Sequence, residues 1–164
     1  MPKQRSFNIV LFQPEIPGNT GSIGRTCVAL NLKRHIIHPA AFDLDEKAVR
    51  RAGLDYWKHV QIFEHNSWEE FLKTENPNNL IFFSRFAQQK PFYEAPYSEN
   101  CYLVFGSETK GLPQEILEAS TDTTYALPMF NENIRSLNLS NTATTAAYEC
   151  LRQLRYDVPF KSGV

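Results

Sequence analysis

Two uninterrupted apolar runs, Leu80-Ile81-Phe82-Phe83 and Tyr102-Leu103-Val104-Phe105, constrain the fold most strongly. Each is short, and neither alternates with polar residues. A strand with apolar side chains on both faces must be covered on both faces, as in the centre of a parallel sheet flanked by helices. The rest of the chain suits that role. Strand-like runs at Phe7–Phe12, Arg34–His38, His59–Phe63 and Thr124–Leu127 join the extended central pair, Leu80–Ser84 and Cys101–Phe105. Helical patterns fall between them. The whole predicts an α/β fold, a mainly parallel sheet with helices on both faces.

The punctuation locates the helices. Pro14 and Pro17 mark Gln13–Gly21 as a loop, because proline disfavours a helix interior. A short helix carrying Ile23, Cys27 and Leu30 follows, with Thr20 or Ser22 as cap and Asn31 as stop. Asp45–Ala52 reads as a helix ended by Gly53, and Ser67-Trp68-Glu69-Glu70 as a capping box. Arg85–Asn100 is loop-like, and Pro113 opens a short helix with Ile116 and Leu117. Near the end, the polar stretch Ile134–Asn141 feeds a helix capped by Ser140, Asn141 or Thr142. Its stripe of Ala143, Ala146, Ala147, Cys150, Leu151 and Leu154 has helical period and small side chains, so another backbone can come close.

At 164 residues the chain fits one domain, 1–164. It has no apolar run long enough to span a bilayer and no signal-like core in Met1–Ser6, so no membrane is expected. Cys27, Cys101 and Cys150 lie far apart within apolar runs, which suits reduced thiols in a cytoplasmic protein. A net charge of −1 neither indicates nor excludes nucleic-acid binding.

In such a sheet, ligands bind beyond the carboxyl ends of the strands. That rule selects the loops after Phe12, Phe105 and Leu127. Gly18, Gly21 and Gly24 do not have dinucleotide-fingerprint spacing, and Leu112-Pro113 stands where a phosphate loop after Gly106 and Gly111 would need Lys-Ser/Thr. Both loops remain open to two readings, tight turns needing φ > 0 or close approach to a flat ligand. His35 and His38 point to opposite strand faces, and His59 and His65 are isolated, so no metal site is expected. Glu108, held in a glycine-rich loop, suits either a cap or chemistry. Arg25 sits among Ile23, Cys27 and Leu30 and must face water, a partner or an anion, such as a phosphate. Lys47, Arg50 and Arg51, followed by Tyr56 and Trp57, form a basic stretch with aromatics, either a solvated face or a hold on a nucleic-acid backbone.

Three motifs in fixed order carry a resemblance. They are Asn19-Thr20-Gly21 with Arg25, the run from Leu103 through Gly106-Ser107-Glu108-Thr109-Lys110-Gly111-Leu112-Pro113, and Leu127-Pro128-Met129 with Arg135-Ser136-Leu137-Asn138-Leu139-Ser140-Asn141. Together they resemble the SPOUT (SpoU-TrmD) class of RNA methyltransferases. Asn8–Pro17, Arg50–Tyr56 and Tyr148–Leu154 are similar to its small TrmL (YibK-like) subfamily.

The resemblance covers nearly the whole chain. It implies a tRNA 2'-O-methyltransferase that uses S-adenosyl-L-methionine on the wobble cytidine or uridine of leucine isoacceptors. It also implies a homodimer and a C-terminal trefoil knot, which topology rules alone would not suggest. By motif position Arg25 is the main catalytic residue, supported by Asn19, Glu108 and Asn138. Phe83, Gly106, Leu127 and Ser136 are the cofactor-binding residues. Lys110 replaces a usual arginine, Gly24 stands where a larger apolar residue is common, and Ser84–Gln89 departs from the usual pattern. Two alternatives remain: a non-catalytic RNA-binding protein of the same fold, and a small-molecule methyltransferase.

Overall fold

The computed structural model describes residues 6–44, 47, 51 and 54–154. Six strands form one sheet: β1 (Asn8–Phe12), β2 (Lys33–Ile37), β3 (Gln61–His65), β4 (Leu80–Phe83), β5 (Tyr102–Phe105) and β6 (Thr124–Tyr125). Their order is β3-β2-β1-β5-β4-β6, and every pairing is parallel. Val10 stands opposite both His35 on β2 and Val104 on β5, so β1 is central. The direction of winding reverses between β1 and β5, the crevice where such sheets bind ligands.

Both faces are covered. Ile9, Leu11, Ile36, Ile81, Phe83, Leu103 and Phe105 point to one side. There they meet helices α1 (Pro17–Leu30) and α4 (Leu139–Leu154). Val10, Phe12, Ile37, Phe82 and Val104 point to the other, against α2 (Trp68–Glu75) and α3 (Gln114–Ala119). Alternation along each strand makes this division. Full burial of one such aliphatic side chain stabilises by about 1.5–3 kcal/mol. The alanine stripe packs within the chain: Ala143, Ala146, Ala147 and Cys150 are buried in the first core, while Leu151 is half-buried. A hydroxyl bond of 2.8 Å between Thr26 and Thr144 links α1 to α4 where the small residues let them close.

Several expectations need correction. Helix α1 begins at Pro17 and absorbs half of the expected loop. Proline is compatible with the first helical turn, because its φ is already helical and its missing N–H would have had no helical partner there. The cap is Ile16, without a side-chain cap bond, rather than Thr20 or Ser22; Asn31 does stop the helix, at φ 58°. β3 starts at Gln61, because Leu54–His59 forms a 3-10 turn closed by Val60 N–H on Trp57 O at 3.1 Å. Asn138 caps α4 by accepting from Asn141 N–H at 3.1 Å, displacing Ser140, Asn141 and Thr142 from that role. Ser67 accepts from Glu70 N–H as expected, while the Glu70 carboxylate reaches one residue further back, to Asn66 N–H. The expected helix Asp45–Ala52 lies largely outside the described residues. Among the described residues no helix is long and apolar enough to cross a membrane.

Candidate functional site

The loops leaving β1, β4, β5 and β6 enclose a cleft of roughly 720 Å³. Phe83, Phe105, Leu112 and Leu127 supply apolar wall, and Ser107, Ser136 and Asn138 supply hydroxyls and amides. Of the eight site residues expected from sequence, seven line it: Asn19, Phe83, Gly106, Glu108, Leu127, Ser136 and Asn138.

A chain of hydrogen bonds joins the three motif segments. Asn138 Nδ2 donates to Asn19 Oδ1 at 3.0 Å, and Asn19 Nδ2 donates to Glu108 Oε1 at 3.4 Å. The same Glu108 carboxylate accepts the backbone N–H groups of Glu15 at 2.7 Å and Ile16 at 3.1 Å, just before α1. An anion at a helix N-terminus satisfies donors that have no helical partner and complements the dipole. This explains why α1 needs no cap from its own sequence. Glu108 is therefore occupied as a cap from across the sheet, and it holds the first loop onto the second. Asn138 has two roles: its amide oxygen caps α4 while its amide nitrogen reaches Asn19.

The glycine loop after β5 folds back on itself. A Cβ on Gly106 would lie 2.2 Å from the Gly111 carbonyl carbon, and Gly111 sits at φ 67°. Gly106 thus serves a close approach of the chain to itself, and Gly111 a left-handed turn. Thr109 Oγ1 donates to both Glu15 carboxylate oxygens at 2.7 Å. Bonds from the Thr109 and Ser107 hydroxyls hold Glu15 below the usual carboxylate range.

Arg25 is the exception. It lies on the exposed flank of α1, its guanidinium 5.1 Å from the Tyr56 ring centre, and does not line the cleft. Six residues separate it from Asn19, which turns it well away from the Asn19 face of the helix.

A profile of the SpoU rRNA Methylase family matches residues 6–148. The chain belongs to the SpoU rRNA Methylase family. It is 47% identical over 151 residues to a tRNA (cytidine(34)-2'-O)-methyltransferase of Saccharophagus degradans, covering 92% of this chain and 97% of that one. A solved structure concerned with the 2-OH methylation of C/U34 on tRNA superposes with a TM-score of 0.85 at 41% identity, over 92% of this chain and 97% of that one. The SpoU methyltransferase AviRb of Streptomyces viridochromogenes, solved in complex with AdoMet, shares the fold at a TM-score of 0.80 and 24% identity, over 93% and 62% of the two chains.

Two polar clusters in this SpoU-family chain were missed by sequence reasoning. The first is Arg34 on β2, fully buried. Its Nη1 donates to Thr20 O, and its guanidinium lies 5.4 Å from the Trp57 ring centre. Among the described residues its Nε and Nη2 have no hydrogen-bond partner, and burial lowers its pKa. A Cβ on Gly24 would lie only 3.0 Å from Arg34 Nη1. Gly24, unusual for the resembled subfamily, thus makes room for this side chain.

The second corrects the view of His65 as isolated. His35 Nδ1 and His65 Nε2 lie 3.1 Å apart, with Glu75 Oε1 3.6 Å from the first and 3.9 Å from the second. Neighbouring parallel strands bring His35 and His65 together, and α2 brings Glu75. Burial, then the neighbouring His65 and Lys33, push the His35 pKa down to about 3, so the ring is neutral. The three side chains offer a possible ligand set. However, His35 Nε2 has no hydrogen-bond partner among the described residues, whereas metal-bearing imidazoles usually anchor their second nitrogen by a hydrogen bond. The cluster reads as a hydrogen-bonded pair packed among Phe63, Phe71 and Tyr102. No local signal would have found it: His35 stands opposite Phe63 and His65 opposite Ile37, so the two rings share a sheet face only once the parallel register of β2 and β3 is set.

Proposed function

We propose that this chain is a methyltransferase that moves a methyl group from S-adenosyl-L-methionine to the ribose 2'-OH of the wobble cytidine or uridine of tRNA, with leucine isoacceptors as substrates. The observation that carries the reading is the cleft where three motif segments meet through Asn138, Asn19 and Glu108. Its chemistry fits the cofactor. Phe83, Leu112 and Leu127 offer apolar surface to a flat base, and the Ser136 hydroxyl and the bared backbone of the rim offer partners to ribose and amino-acid groups. S-adenosyl-L-methionine, when bound, supplies an electrophilic methyl group on a sulfonium.

The protein's part is position and electrostatics. Asn19 and Asn138 order the loops around the acceptor, and Glu108 keeps α1 in register with them. Arg25 holds a substrate phosphate and aims the adjoining hydroxyl. The hydroxyl proton would pass to a phosphate oxygen of the RNA while the methyl exchanges its carbon–sulfur bond for a carbon–oxygen bond, the sulfur leaving as a neutral thioether. Arg25 stands outside its own chain's cleft, so this role requires a second copy of the chain presenting it to the neighbouring cleft. A homodimer, one catalytic domain over 1–164, a C-terminal trefoil knot and action in the cytoplasm belong to the same proposal. The test is mass spectrometry of tRNA nucleosides from a deletion strain, with and without the restored gene. A ribose-methylated wobble nucleotide lost on deletion and regained on restoration is expected; an unchanged nucleoside profile would overturn the reading.

A further inference from the structure

The segment Ser84–Gln89 departs from the resembled subfamily, and it borders the cleft. Its backbone is folded into a turn: Ala87 N–H donates to Ser84 O at 3.1 Å, and Phe86 N–H to Ser84 Oγ at 3.3 Å. Gln88 then fastens the turn to the opposite lip. Its Nε2 donates to Arg85 O at 3.0 Å and to Leu127 O at 3.3 Å, and its Oε1 accepts Met129 N–H at 3.1 Å. Two lips from distant parts of the chain are thereby set at a fixed spacing.

These lips display the two most exposed large apolar side chains among those described, Phe86 at 73% and Phe130 at 97%. Phe86 lines the cleft. The Arg85 guanidinium lies over one face of the Phe86 ring, 4.1 Å from its centre, and leaves the ring largely open to solvent. Arg85, Lys110 and Arg135 all face the cleft, against a single lining carboxylate, Glu108, which is occupied by backbone N–H groups. An aromatic ring held by a guanidinium at a positively biased mouth suits an unpaired nucleobase and its phosphate.

We propose that Phe86 and Arg85 form a base-stacking subsite that holds the base of the RNA nucleotide whose ribose enters the cleft. The inference rests on the proposed RNA methyl transfer and adds the contact that selects an unpaired nucleotide. A stack on a ring is tolerant of base identity, because every base has a π face. The subsite thus accepts a wobble pyrimidine without reading its edge, and it rejects a base that stays paired and stacked in a duplex. Arg85 contributes one phosphate contact, which releases counterions and makes binding salt-dependent.

Steady-state methyl transfer to a tRNA substrate, with separate calorimetry of S-adenosyl-L-methionine, tests this. Phe86→Ala is expected to raise KM for tRNA about tenfold, the scale of one lost base stack, with cofactor affinity unchanged. Phe86→Tyr should restore KM, since the stacking face is kept. On a tRNA with an abasic ribonucleotide at the target position, wild type and Phe86→Ala should converge. Unchanged KM in Phe86→Ala, weakened cofactor binding, or a penalty that persists on the abasic substrate would each overturn the subsite. Absence of methyl transfer by the wild-type protein to any tRNA would instead overturn the proposed function, so the two failures are distinguishable.

Discussion

The two halves of the sheet handle polar side chains in opposite ways. On the β1, β5, β4 and β6 side, Asn19, Glu108 and Asn138 find partners in one another and in backbone N–H groups, at the edge of an open cleft. On the β2 and β3 side, Arg34 and His35 are sealed among apolar and aromatic side chains, and among the described residues Arg34 Nε and Nη2 and His35 Nε2 have no hydrogen-bond partner. The first arrangement leaves a ligand free to bind without disturbing the fold. The second loads the cost of desolvation onto stability. Buried polarity in this molecule is therefore not a marker of chemistry. What marks the site is a partnered network whose members come from three separate loops.

Arg25 tests the division most severely, because α1 bridges both halves and Arg25 points away from the cleft. If it serves a neighbouring copy, Arg25→Ala should lower methyl transfer by about 100-fold or more, roughly 3 kcal/mol in the barrier. Thermal stability and S-adenosyl-L-methionine affinity should stay near wild type, as calorimetry would read. Normal turnover would remove Arg25 from the reaction and leave the halves cleanly separate.

His35 sharpens the other half. Its folded pKa lies near 3, below the ordinary value of 6.5. Between these values the unfolded chain binds a proton that the folded chain refuses, so stability is intact above about pH 6.5 and falls as pH drops toward 3. The contribution is about 1.4 kcal/mol per pH unit inside that window. Denaturant titrations from pH 7 to pH 4 should show this loss, and His35→Gln should flatten it.

Gly24 and Arg34 form a smaller, coupled pair. Gly24→Ala alone should destabilise by about 1 kcal/mol, because the methyl meets the guanidinium. In an Arg34→Leu background the same change should be neutral or stabilising, giving a coupling energy of about 1–2 kcal/mol in a double-mutant cycle. Simple additivity would show that the two side chains do not share the space. A similar effect on stability belongs to the network itself. Asn138→Ala should cost about 1 kcal/mol through the lost α4 cap. Asn138→Asp keeps an oxygen for the cap but loses the donor to Asn19. It should therefore retain most of the stability while lowering activity.

The sequence by itself determined the layered architecture. Wholly apolar strands such as Leu80–Phe83 admit few settings other than a doubly covered parallel sheet. It also located three of the four loops that build the cleft, because residues beyond strand carboxyl ends are free of core packing; the loop after β4, with Ser84, Arg85 and Phe86, was not among them. Local chemistry was legible at the Ser67–Glu70 cap and the Asn31 stop, though at α4 the cap is Asn138 rather than Ser140, Asn141 or Thr142. Only the tertiary structure decided the rest. The start of α1 depends on Glu108, which approaches its N-terminus from the loop after β5, the strand adjacent to β1 in the sheet, and lies 92 residues from Ile16 in sequence. The space left by Gly24 depends on Arg34, and the pairing of His35 with His65 depends on parallel strand register. Sequence periodicity reports which face a side chain occupies. It does not report which distant side chain meets it there, and that meeting fixes caps, burial and proton affinity.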